Sequence, residues 1–241
     1  AGFGLDTSTN GGNGFLTVGR GTIFTDNYAS AITGAQRGMF IINNITGSMA
    51  VTTTGQVTGN AGEGIFARND GGTAHMTVSA ASVSGTTRGI YALSSGSGTM
   101  TVTSTGTVTA SAGNGIFASD LQAGTDINIT ANNVTGSASG IDARNVGTGA
   151  RNISVTVSGA ITGGAGNGIY TLTGSTGASV VTLNSGAVVT GSSAAIKNDS
   201  GASTTIVNTG ASVNGTISLG SGDDDLTFNG GTFTGVAAFI G

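Results

Sequence analysis

One short phrase recurs along this chain and leaves it few ways to fold. The phrase is a small residue, a large aliphatic, usually an aromatic, and a further small or aliphatic residue. It stands as Gly-Met-Phe-Ile at 38–41, Gly-Ile-Phe-Ala at 64–67, Gly-Ile-Tyr-Ala at 89–92 and Gly-Ile-Phe-Ala at 115–118. It continues as Gly-Ile-Asp-Ala at 140–143, Gly-Ile-Tyr-Thr at 168–171 and, altered, Ala-Ile-Lys-Asn at 195–198. With Met39, Ile65, Ile90, Ile116, Ile141, Ile169 and Ile196 as markers, the spacings are 26, 25, 26, 25, 28 and 27 residues. A period in this range marks an architecture in which each unit is one coil that buries its apolar side only against its neighbours.

Two further phrases share the period. The first alternates apolar and polar residues, starting at Met49, Met76, Met100, Ile127, Ile153 and Val181. Alternation of period two is a strand signature. The second is an apolar residue, then Ser, Thr or Asn, then usually Gly, at Ile32, Val57, Val83, Val108, Val134, Ile161, Val189, Val213 and Phe233. Between the phrases lie Gly, Asn and Ser clusters, with Asn-Gly at Asn114, Asn167 and Asn214, where a turn of positive φ is expected. The predicted fold is an all-β, right-handed parallel β-helix of about nine coils of 25–28 residues, each with three short strands. The hexapeptide left-handed form keeps strict multiples of six, which these spacings do not. The chain reads as a single segment over 1–241, with 1–37 as irregular first coils and 216–241 as a terminal coil.

The pattern predicts columns of like residues inside the coils. Met49, Met76, Met100, Ile127, Ile153 and Val181 form one, and Val51, Val78, Val102, Ile129, Val155 and Leu183 the next. Ala67, Ala92, Ala118 and Ala143 mark a place where two sheets approach closely.

Composition removes the competing explanations. Gly supplies 46 of the 241 residues, but it does not recur at every third position and there is no Pro, which excludes collagen. A mean hydropathy of +0.22 with periodic Val, Ile and Met excludes a disordered chain. Without Cys there is no disulfide framework, thiolate metal site or Cys nucleophile. Seven basic residues and a net charge of −4 offer no footprint for nucleic acid. No apolar run has the length of a membrane span, and residues 1–10 lack the basic start and apolar stretch of a signal peptide, so the chain reads as a mature or excised segment.

If the markers point inward, the residue after each points outward. That column reads Phe40, Phe66, Tyr91, Phe117, Asp142, Tyr170, Lys197. Phe40, Phe66, Tyr91, Phe117 and Tyr170 are therefore candidate contacts for a glycan or a protein partner, against the plainer reading that the ladder is packed. Asp142 is expected to end the stripe. Arg37, Glu63 and Arg88 form a second charged column, expected to be an exposed ladder of ion pairs of little energetic consequence. Arg68 and Arg144 share a third, three coils apart, as candidates for an acidic ligand.

No catalytic residue is identified. Glu63, Asp142, Asp70, Asp120 and Asp199 occupy different offsets, the last three in expected loops, so no two carboxylates stand together for acid and base roles. His75, the one histidine, has no nucleophile phrase around it. The phrase Leu219 to Phe228 resembles half of a calcium-binding nonapeptide repeat, with Asp224 in the ligand position; a single copy makes it a weak metal candidate, and no other metal or cofactor is implied. Outward hydroxyl columns, Thr77, Thr101, Asn128, Ser154, Thr182 and Ser79, Thr103, Thr130, Thr156, Asn184, leave an ice-binding solenoid as a remote alternative.

Several of these phrases together resemble the passenger domains of Gram-negative autotransporters, the type V secreted surface proteins. They are Gly-Asn-Gly-Ile with a following aromatic at 113–117 and 166–170, the alternating strands, Val-Thr-Gly, and the closing GSGDDDLTFNGGTFTG at 220–235. The resemblance spans nearly the whole chain. It implies a β-helix exported through a C-terminal outer-membrane barrel absent from this segment. It also implies a place at the cell surface and a non-enzymatic role in adhesion, autoaggregation or biofilm formation. The implied partners are a host or bacterial surface glycan or protein, or a second copy. A polysaccharide-binding or polysaccharide-cleaving β-helix, including the phage fibre type, is the alternative.

Overall fold

The structure, a computed structural model, describes residues 15–19, 23–44, 47–70, 75–121, 126–146, 151–174 and 176–239. The described residues are all-β, with no helix, and their strands stack in parallel as the coils of a β-solenoid. Each strand lies on the strand one repeat earlier, so the period read from the sequence is the length of one coil.

The marker phrase builds the first sheet, which holds ten strands: Phe15–Gly19, Met39–Asn43, Ile65–Asn69, Ile90–Ser94, Ile116–Asp120, Ile141–Asn145, Asn167–Leu172, Ala194–Asn198, Ile217–Leu219 and Ala237–Phe239. With one strand per coil this makes ten levels among the described residues, where the sequence predicts about nine coils. The difference lies mainly at the C-terminal end. Ile196 pairs with Ile217 and Ile217 with Ala237, repeats of 21 and 20 residues that fall outside the 25–28 range.

The other two phrases share one 14-stranded sheet, which corrects the expectation of three separate strands in every coil. In four coils they run as one strand, Ser48–Gly59, Met76–Gly85, Met100–Ala110 and Ile127–Gly136. Such a strand bends through a local shift of register, as between Thr53 and Gln56, rather than through a turn. From Ile153 onward the strand is cut in two, as in Ile153–Val157 with Ala160–Gly163 and Ala178–Leu183 with Val188–Gly191.

Parallel in-register pairing sets like on like. Met39, Ile65, Ile90, Ile116, Ile141, Ile169, Ile196 and Ile217 form one continuous column, each fully buried. Burying such a side chain contributes about 1.5–3 kcal/mol before the entropy of ordering is subtracted. The third-phrase column runs unbroken from Ile32 through Val57, Val83, Val108, Val134, Ile161, Val189 and Val213 to Phe233. This column also explains the glycine before each marker. A Cβ at Gly115 would overlap the Val134 Cγ1 methyl and come within 2.8 Å of Gly140 O. The expected positive φ is absent at Asn114-Gly115 and Asn167-Gly168 and occurs only after Asn214, at Gly215 (φ 123°). Close approach of the two sheets, rather than a turn, requires glycine at 115.

Two columns depart from expectation. Ile153 pairs with Ser179, and Val155 with Val181, so Val181 and Leu183 each sit one inward position later than predicted. The alanine column Ala67, Ala92, Ala118, Ala143 continues as Thr171 and Asn198. The slip and the continuation meet inside the coils. Thr171 Oγ1 donates to Asn198 Oδ1, Ser179 Oγ in turn donates to Thr171 Oγ1 at 3.1 Å, and Asn198 Nδ2 donates to Thr205 Oγ1 at 3.4 Å. Ser179 is buried there because partners await it. A further buried polar column, Asn43, Asn69, Ser94, Asp120 and Asn145, ends the first-sheet strands. Asp120, expected in a loop, is thus a fully buried strand residue.

Candidate functional site

The outward column of the first sheet keeps the predicted register: Phe40, Phe66, Tyr91, Phe117, Asp142, Tyr170, Lys197. The spacing of hydrogen-bonded neighbouring strands sets successive positions of this column about 4.8 Å apart. Phe40 and Phe66 stack with centroids 4.9 Å apart, while Phe66–Tyr91 and Tyr91–Phe117 meet edge to face at 5.3 Å. These rings are half-buried rather than free.

Guanidinium groups roof the rings. Arg37 lies over Phe40 and Phe66, at 4.9 and 5.5 Å from their centroids. Arg88 lies over Tyr91 and Phe117, at 4.1 and 5.1 Å. Each such contact contributes about 0.5–1 kcal/mol at an exposed site. Arg144 spans the place where Asp142 interrupts the aromatics, at 5.5 Å from Phe117 and 5.2 Å from Tyr170. Lys197 closes the row over Tyr170 at 5.5 Å. The stripe therefore continues past Asp142, contrary to expectation, as a ribbon of alternating rings and cations.

Carboxylates hold these cations in place. Arg37 Nε donates to Glu63 Oε2 at 2.6 Å, while Arg88 Nη1 stands 3.8 Å from Glu63 Oε1. Glu63 is buried, its side chain 9% exposed, which corrects the expected exposed ladder of ion pairs. Asp142 is also buried, and Arg144 grips it through Nε at 2.7 Å and Nη2 at 2.9 Å. Asn114 Nδ2 donates to Asp142 from the preceding coil at 2.9 Å. The bond to Asp142 holds the Arg144 guanidinium above its ordinary pKa, outweighing burial. Tyr170 Oη donates to Asp199 Oδ2 at 3.0 Å. Burial first, and then that bond, push the Tyr170 phenol up to about 12.

The remaining candidates scatter. Arg68 pairs with Asp70 at 2.8 Å and lies three coils from Arg144, with Leu93 and Ser119 between them, so the two do not converge on one ligand. Asp224 accepts a hydrogen bond from Ser203 Oγ at 2.6 Å, and no group of three or more metal-ligating side chains forms among the described residues. His75 Nδ1 accepts from the Thr99 N–H at 3.0 Å on the surface. In the hydroxyl columns, Val180 stands beside Ser154 and Thr182 beside Thr156, which corrects both predicted columns at their last member.

The guanidinium roof is the feature of the candidate site that sequence reasoning missed. Its signal was present: Arg-Gly-aliphatic-aromatic occurs at 37–40 and again at 88–91. An arginine three residues before an aromatic, across a glycine, reaches back over that ring.

No family model matches this chain, and no curated protein or solved structure does. No helix of the described residues is long and apolar enough to cross a membrane.

Proposed function

We propose that this chain is a non-enzymatic segment of a bacterial cell-surface protein of the autotransporter passenger type, and that it mediates adhesion, autoaggregation or biofilm formation through the first-sheet face. One observation carries the reading. Phe40, Phe66, Tyr91, Phe117, Tyr170 and their cations form a continuous ribbon along six successive spacings of the solenoid. Repetition turns weak contacts into a useful sum, since aromatic contacts add about 0.5–1.5 kcal/mol each beyond area burial. The absence of Cys suits a chain exported through a narrow pore, because a periplasmic disulfide would block its passage. Sequential stacking suits folding that propagates from the emerged end. An outer-membrane barrel following this segment, and a Gram-negative cell surface as its location, belong to the same proposal.

The test is display of the chain on a bacterial surface with Phe66→Ser and Phe117→Ser combined. Adhesion or autoaggregation falls several-fold if the ribbon is the contact surface. Unchanged adhesion by a variant that still displays normally makes the segment a stalk and removes the ribbon from the binding role.

A further inference from the structure

Beside the ribbon, at the corner where the second sheet hands over to the first, lie two adjoining open recesses. One, of about 220 Å³, is lined by Thr58, Asn60, Ser84, Thr86, Thr109 and Ser111 among others. The other, of about 310 Å³, is lined by Thr87, Arg88, Gly113 and Asn114 with two alanines. Residues 84–86 run directly into 87–88, and 109–111 into 112–114, so the two recesses form one trough across neighbouring coils.

Arg88 is the under-paired cation of the ribbon. Arg37 and Arg144 each donate a short hydrogen bond to a carboxylate, but the one ion pair of Arg88 among the described residues is Glu63 at 3.8 Å. Glu63 is already taken by Arg37 at 2.6 Å. Two guanidiniums thus share one carboxylate, a local surplus of positive charge on a chain whose net charge is −4. The next carboxylate along the face, Asp142, is occupied by Arg144 and Asn114. Packing over Tyr91 and Phe117 holds the Arg88 side chain in place while leaving it 31% exposed. A planar fork of five N–H donors, held on aromatic rings and short of an anion, is matched by a carboxylate.

We propose that the Arg88 recess binds the carboxylate of an acidic sugar, and that the hydroxyl-lined recess beside it holds a neighbouring ring of the same oligosaccharide. This deepens the adhesive reading and rests on it for the biological setting. The hydroxyl-lined recess adjoins the Arg88 recess on the same coils, and its Thr and Ser hydroxyls can meet the hydroxyls of a sugar ring.

Calorimetric titration of the purified chain with a hexamer of galacturonic acid, with maltohexaose as neutral control and sodium sulfate as a bare anion, tests the proposal. The acidic hexamer binds and maltohexaose does not. Sulfate at the same concentration does not displace the hexamer. Arg88→Gln weakens binding about tenfold, the scale of one lost charge-assisted contact. Arg88→Lys keeps charge without the fork and falls between, which serves if the Gln variant folds poorly. Equal binding of both hexamers, parent-like binding by Arg88→Gln, or no saturable binding overturns the proposal, as does displacement by sulfate. Loss of adhesion in the Phe66 and Phe117 variant without hexamer binding would remove the trough and leave the adhesive ribbon. Arg88-dependent binding with unchanged adhesion would do the reverse.

Discussion

The coils from Met39 to Gly136 and those from Ile141 to Phe239 repeat the same three phrases but solve the same two problems differently. The first problem is the corner inside the second sheet. The earlier coils bend a continuous strand, and its glycines are wanted for space: a Cβ at Gly106 would overlap Ala81 O, although its φ lies outside the left-handed region. The later coils cut the strand with a turn, in which Ala187 N donates to Asn184 O at 3.0 Å and Ala211 N to Asn208 O at 3.0 Å. There Gly186 and Gly210 adopt φ of 85° and 80°, and the nearest atom to a Cβ on Gly186 is 3.8 Å away. All six positive-φ glycines among the described residues lie at or beyond Gly186. The second problem is filling the interior. The earlier coils keep their buried polar side chains mostly in the column from Asn43 to Asp120 at the ends of the first-sheet strands, whereas the later ones admit Ser179, Asn198, Ser203 and Thr205 into columns that are Met, Val, Ile or Ala earlier. A repeat thus constrains the path of the chain more tightly than the chemistry inside it, and Thr171, Ser179, Asn198 and Thr205 find their partners within their own coil or in the next.

The most damaging way to break this comparison is to place in the apolar half what the polar half tolerates. Ile116→Asn puts an amide between Ile90 and Ile141, and is expected to cost about 3–5 kcal/mol from lost burial and an unmet polar group. An unmoved thermal transition would show that the marker column is not the core. The converse change acts on the later coils. Asn198→Ala withdraws a partner from Thr171 and Thr205 and is expected to cost about 1–3 kcal/mol in denaturant unfolding. Adding Thr171→Ala, Thr205→Val and Ser179→Ala should recover most of the loss, because replacing every member of the network leaves none stranded. If Asn198→Ala were neutral, the buried network would hold nothing together.

The corners separate by a smaller margin. Gly106→Ala should cost about 1–3 kcal/mol through overpacking, whereas Gly186→Ala carries only the left-handed penalty of about 1–2 kcal/mol. Gly186→Asn should lose less than Gly186→Ala, since Asn tolerates that conformation, while Gly106→Asn should be at least as harmful as Gly106→Ala. Equal responses at the two sites would erase the distinction between space and backbone conformation. The smallest effect is a pH dependence. Because folding raises the Tyr170 pKa from 10 to about 12, the folded state holds its proton where the unfolded state has lost it. That contribution is intact below about pH 10 and declines between about pH 10 and 12. Thermal melts across this window should lose part of their slope in Tyr170→Phe, and an identical profile would show that burial and the bond to Asp199 do not couple the Tyr170 proton to folding.

The amino-acid sequence by itself determined the period, the marker column, the nine-member third-phrase column and the outward line from Phe40 to Lys197. These share a cause: in a parallel in-register stack the residue above Ile116 is its own repeat equivalent, so periodicity is already a contact list. Tertiary structure alone decided what depends on side-chain reach and corner geometry. Ser179 rather than Val181 faces Ile153 because Thr171 offers it a hydrogen bond, and the slip then carries Leu183 to Val157. Glu63, outward by its place in the phrase, is buried because guanidiniums from the coils on either side reach toward it. The rings from Phe40 to Tyr170 are outward in register yet half-covered, because Arg37, Arg88 and Arg144 are long enough to lie across two coils. A repeat specifies which residues stand above one another, and the length and charge of each side chain then determine what it covers.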